Sequence, residues 1–175
     1  MNKELEAFIN YLDAERDHVL GILEGLSDHD LRRPILPNGW SCLELVRHLT
    51  VDVERFWLRG VIAGQAEVAN LFKAGATAHW RVPDGMSANE VFADYRSETA
   101  CANAALAAVV DAERALDQAP TVWPVEIWPN WRLPDFRNVL LHVLTELSCH
   151  AGHLDAAREM IDGKTWFGRD PYADF

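Results

Sequence analysis

The sequence predicts an all-α protein, a four-helix bundle, on three observations. Long segments carry apolar residues at helical spacing, two capping boxes mark helix starts, and no segment alternates as a half-buried strand would. A helix with one apolar face must bury that face against another element. Four such helices of about 20 to 30 residues do so economically against one another.

The first segment, roughly Lys3 to Leu26, sets Leu5, Phe8, Ile9, Leu12, Val19, Leu20 and Leu23 at helical spacing. The polar stretch "SDHDLRRPILPNG" follows, and its two prolines and glycine forbid a continuous helix. In "SCLE", Ser41 is an N-cap and Glu44 completes the capping box, so a second helix should run to about Ile62, before Gly64. Residues 64–86 are poorly periodic and contain "HWRVPDG", which predicts a long connection. A second capping box, "SANE" (Ser87, Glu90), opens a third helix to about Leu116. The segment "APTVWPVEIWPNWRLP" combines three tryptophans with four prolines, and its aromatics need burial although it cannot be helical. Pro134 suits the first turn of the fourth helix, and Gly163 the position just past its end.

Bulk properties narrow the function. The 175 residues suffice for one domain, 1–175, with a sizeable core. Sixteen basic against 27 acidic residues give a net charge of −11, which argues against a nucleic-acid partner, since phosphates need clustered Lys and Arg. No apolar run approaches the roughly 20 residues of a membrane span. The opening "MNKELEAF" is charged and periodic, unlike a signal peptide. Cys42, Cys101 and Cys149 are odd in number and form no CxxC, so a reduced, cytoplasmic protein is expected.

The chemistry concentrates in "TELSCHAGHLDAAREMIDG", residues 145–163. At about 100° per residue, His142, Glu146, His150 and His153 fall within an arc of roughly 80°. Phe136, Leu140, Val143, Leu147, Leu154 and Ile161 occupy the adjoining sector, so the polar stripe borders the core instead of opposing it. A carboxylate there is costly unless compensated, and a divalent cation compensates it by accepting carboxylate oxygen and imidazole nitrogen together. The spacing E-x3-H supplies two ligands one turn apart. A third is available in "ELVRHLTVDVERFW", where His48 shares a side with Leu45, Leu49 and Asp52. Three protein ligands would leave a position open for water or substrate. The alternative is a solvated polar edge or a buried Glu–His hydrogen-bonded network.

The motifs "GWSCLELVRHLTVDVERFW" and "LLHVLTELSCHAGHLDAAREMIDG" resemble the DinB-like superfamily of four-helix metalloproteins, and in particular its mycothiol-dependent maleylpyruvate isomerase-like branch. The likeness covers nearly the whole chain. It implies an up–down–down–up bundle with a long crossing connection, which suits residues 64–86. It also implies a divalent metal held by His48, Glu146 and His150, with His153 as a neighbour. Zinc is the expected ion, with nickel or iron also compatible with two nitrogens and one oxygen. The partners implied are a small-molecule substrate, with a low-molecular-weight thiol as its nucleophile, and a second copy of the chain in a homodimer. A thiol-dependent S-transferase or isomerase is therefore expected. A hydrolase using metal-activated water and a non-catalytic metal-stabilised bundle are the rivals.

Several neighbours carry two readings each. Asp52 orients an imidazole or is a surface carboxylate; His142 donates to Glu146 or is a core histidine. Arg158 holds an anionic substrate or, with Glu159, forms an ion-pairing helix end. Cys149 reads as a structural thiol. Trp40, Trp57, Trp123, Trp128 and Trp131 line a pocket above the metal or plug the bundle ends, and His79 and Trp80 are placed to close over the site.

Overall fold

A computed structural model describes residues 3–37, 39–72, 79–109 and 115–166. Among them every regular element is helical. Four long helical segments are present: α1 (Lys3–Gly21), α3 (Cys42–His48) with its continuation Leu49–Ile62, α5 (Ala88–Val109) and α6 (Phe136–Asp162). Two short helices, α2 (Asp28–Arg32) and α4 (Ala66–Asn70), and a 3-10 turn at Ala115–Asp117 fill the connections. The third helix is described as far as Val109 and Leu116, its predicted end, lies in the 3-10 turn, while residues 110–114 between them and 73–78 of the 64–86 connection lie outside the described residues.

The apolar stripes pack as their spacing demands. Leu5, Leu12, Val19 and Leu23 from the first segment are buried, as are Phe136, Leu140, Val143, Leu147 and Leu154 of α6. These join Leu45, Val46, Leu49, Phe56 and Leu58 from the second helix and Val91, Tyr95, Ala102 and Leu106 from α5 in one core cluster. The helix of residues 42–62 contacts both α5 and α6, and α1 contacts α6. Two side-chain contacts tie α1 to α6, a salt bridge of Arg137 with Glu4 at 2.6 Å and a hydrogen bond between His18 Nε2 and Asp155 at 2.8 Å.

The termini follow local chemistry. Ser41 and Glu44 form the reciprocal capping box that starts α3, and Ser87 and Glu90 make the same exchange before α5. Gly163 ends α6 in the left-handed conformation, φ 76°, which a residue without Cβ adopts freely. Two boundaries differ from expectation. Pro134 precedes α6 instead of entering its first turn, because Asp135 is the N-cap and its carboxylate accepts the Asn138 N–H at 2.8 Å. The polar segment after α1 also forms α2, capped by Ser27.

The second helix is continuous over its predicted length, yet its hydrogen bonding changes after His48. From Leu49 to Ile62 it is a π-helix of 14 residues, the helix type whose N–H groups reach back five residues, as Ala63 does to Leu58 at 3.0 Å. The wider turn buries residues around nearly the whole circumference: Thr50, Val51, Val53, Glu54, Phe56, Trp57, Leu58, Gly60, Val61 and Ile62. Gly60 lets α4 approach, for a Cβ there would stand 3.3 Å from the Ala69 backbone nitrogen. The buried Glu54 is met by Arg16 of α1, whose guanidinium donates to both carboxylate oxygens at 2.8 and 2.6 Å.

Candidate metal centre

His48 ends α3 where the π stretch begins, and Glu146 and His150 lie one turn apart on α6. Packing of these two helices brings one ligand atom from each residue to within 4.8 Å of the others. The His48 Nε2–Glu146 Oε2 separation is 3.9 Å and the His150 Nε2–Glu146 Oε2 separation is 3.4 Å. Both exceed an ordinary hydrogen bond. Two atoms bound to one zinc lie no more than about 4.2 Å apart, so these two separations suit a shared ion, and drawing the whole set, spread over 4.8 Å, onto it takes a small side-chain movement. The three side chains are half-buried, as expected for a polar stripe bordering the core.

His48 is held from behind. Its Nδ1 is 2.9 Å from Asp52 Oδ2, which fixes the ring so that Nε2 faces Glu146. A carboxylate on the far nitrogen of an imidazole is the support that metal-ligating histidines commonly have. Asp52 in turn has His79 Nδ1 at 3.6 Å. Trp40 lies against both imidazoles, at ring-centroid distances of 5.4 Å from His48 and 5.9 Å from His150, and stacks on Trp80 at 4.8 Å. His79 and Trp80 of the long connection thus meet Asp52 and Trp40, the neighbours of the cluster.

The electrostatics are those of a coupled cluster. Burial would lower His48, but the Asp52 hydrogen bond and the negative charge of Asp52 and Glu146 outweigh it and raise the imidazole to about 9. His150 first, and then His48, hold the Glu146 carboxyl far below the usual carboxylate range. Burial lowers His142, with Glu146 opposing. The carboxylate is therefore ionised across the physiological range. A cation entering the cluster would displace the proton that His48 otherwise carries.

The other expected site residues separate into two groups. His142 sits beside Glu146, with its ring edge-on to Trp57 at 4.7 Å, and both line a cavity of about 490 Å³. Its remaining walls are His48, Asp52, Val53, Trp57, Trp128 and Trp131. His153 adjoins His150 at 5.5 Å between rings, and its Nδ1 is 4.0 Å from Cys149 Sγ, which is exposed. Arg158 stands apart. It is buried, donates to both carboxylate oxygens of Asp162 at 2.9 Å, and reaches the Ile22 and Glu24 carbonyls at 2.7 and 2.9 Å. Its guanidinium closes the α1–α2 connection onto α6. Trp40's contact with both imidazoles was not legible in sequence, since its loop has no periodicity to aim it.

The arrangement defines a class: an all-helical protein with a His–Glu–His cluster between two helices and an aromatic-walled cavity beside it. A family model described as mycothiol-S-transferase matches residues 7–163. The chain belongs to that family. The DinB-like resemblance of the α3 and α6 motifs is thereby borne out, and the family's description implies a thiol-dependent transferase. No curated protein and no solved structure matches the chain. Among the described residues no helix is long and apolar enough to cross a membrane.

Proposed function

We propose that this protein is a divalent-metal-dependent S-transferase acting on a low-molecular-weight thiol, with His48, Glu146 and His150 as the metal ligands. The observation that carries the reading is the meeting of those three ligand atoms within 4.8 Å, with Asp52 bound to the rear nitrogen of His48. When bound, the cation supplies a Lewis acid that makes a thiol acidic enough to be nucleophilic at neutral pH. Zinc suits the donor set, with nickel and iron as alternatives. Asp52 holds the His48 ring with Nε2 forward, and Glu146 supplies the negative charge that balances the cation. Trp40 and Trp80 shield the imidazoles from water. His153 and His142 border the cluster and support its orientation. In this reading residues 1–175 form one domain, an up–down–down–up DinB-like bundle in the cytoplasm that pairs as a homodimer, testable by sedimentation equilibrium.

Metal analysis of protein purified without added metal tests the premise. The parent should carry about one ion per chain, and His48→Ala, Glu146→Ala and His150→Ala should each lose it. The losses should be non-additive in combination because the residues share one ion. In the cobalt-substituted protein, added thiol should produce a thiolate charge-transfer band. Unchanged metal content and melting temperature in all three variants would make the cluster a charged hydrogen-bonded network instead, a reading favoured by the two carboxylates that flank His48. Bound metal without the thiolate band would favour the hydrolytic or purely structural versions.

A further inference from the structure

The 490 Å³ cavity adjoins the metal ligands His48 and Glu146, and the rest of its wall has a particular chemistry. Trp57 and Trp128 stack nearly parallel, 14° apart with centroids at 5.2 Å. Trp131 stands edge-on to both, at 86° and 73°, and is 43% exposed, which places it at the mouth. Trp123 anchors this wall by donating its indole N–H to the Trp131 carbonyl at 3.1 Å. The charged groups that line the cavity are already engaged with one another: Asp52 faces His48 and His79, and Glu146 faces His48 and His150. What the cavity offers a guest is indole surface.

Resting on the S-transferase reading, we infer that this tryptophan-walled cavity is the acceptor site, and that the acceptor is a neutral, planar aromatic compound bearing an electrophilic carbon. The size fits. A cavity of about 150 Å³ accommodates one benzene ring, so this one holds a fused or substituted ring system with room for an approaching sulfur. The geometry also fits, since the same cavity is floored by His48 and Glu146, where the thiol would be activated. The reaction is a substitution. The sulfur electron pair forms the new carbon–sulfur bond, the bond to the leaving group breaks, and that group departs as an anion with its electron pair. The thiol proton passes to solvent. Offset and edge-to-face contacts with indole rings favour a flat guest beyond the gain from burying its area.

The test separates this inference from the metal-dependent chemistry. The indole N–H resonances of the seven tryptophans are followed by NMR while free indole is titrated into chelator-treated protein with no thiol present. Saturable shifts at Trp57, Trp128 and Trp131, with Trp166 unmoved, are expected, and Trp131→Ala should weaken the binding about tenfold. Trp131 is exposed enough for that variant to fold, and its Trp166 resonance provides the check. In turnover with a thiol, Trp131→Ala should raise KM for a chlorodinitrobenzene by a much larger factor than KM for iodoacetamide. Absence of saturable binding, shifts spread equally to Trp166, or tighter binding of phenyltrimethylammonium than of indole would overturn the assignment. Indole binding without any turnover would refute the S-transferase reading while leaving the aromatic site standing.

Discussion

Replacing Arg16 by Met removes the partner of a fully buried carboxylate. Glu54 is 0% exposed and Arg16 is 5% exposed, and the guanidinium also donates to Asp13 at 2.6 Å and Asn103 at 2.8 Å. Breaking a buried pair from one side costs about 3–5 kcal/mol, because the remaining charge is left without compensation. At about 2–4 °C per kcal/mol for a chain of this size, the melting temperature should fall by roughly 6–20 °C. The loss should depend on pH. Burial pushes the Glu54 carboxyl up and Arg16 is what opposes it, so in Arg16→Met the folded-state value rises further above the unfolded one. The folded variant then binds a proton that the unfolded chain gives up above about 4.5. Its stability should therefore decline as pH rises from 5 to 8, while the parent declines less. Thermal melts by circular dichroism at both pH values are the assay. A loss under about 1 kcal/mol, or the same loss at pH 5 and pH 8, would refute the claim that this pair is a buried, ionised one.

The ligand cluster predicts its own pH profile in chelator-treated protein. His48, raised from 6.5 to about 9, contributes stability that is complete below 6.5 and lost as pH climbs through 9. Glu146, lowered, contributes stability that is complete above 4.5 and lost as pH falls toward its folded value. Melting temperature should thus be highest between roughly pH 4.5 and 6.5, and Asp52→Asn should remove much of the alkaline decline; a stability that increases from pH 6.5 to 9 would contradict the cluster. Arg158→Ala should lower the melting temperature by removing its hydrogen bonds to the Ile22 and Glu24 carbonyls and to Asp162, while leaving metal content at the parental level. Loss of metal with unchanged stability would instead connect Arg158 to the site.

The polar stripe of α6 could be read from the chain because a helix has a fixed angular step. Once residues 136–162 are helical, Glu146, His150 and His153 must lie together beside Leu147 and Leu154, whatever the rest of the protein does. Capping followed the same logic, since Ser41 with Glu44 and Ser87 with Glu90 act over three residues. Arg16 was also within reach: it lies four residues after Leu12 and three before Val19, inside the apolar stripe. Its partner was not. Glu54 lies in the stretch after His48 where burial extends around nearly the whole helix, so an apolar stripe does not mark it as a core position. The tryptophans of residues 120–134 were equally open, as a proline-broken segment has no period from which to infer direction. The sequence by itself determined the long helices, the two capping boxes and the candidate ligands of α6, all set by interactions a few residues long. Only the tertiary structure decided that His48 meets Glu146, that Arg16 meets Glu54 and that Trp57, Trp128 and Trp131 wall one cavity. Such contacts span tens of residues and depend on how several faces pack at once.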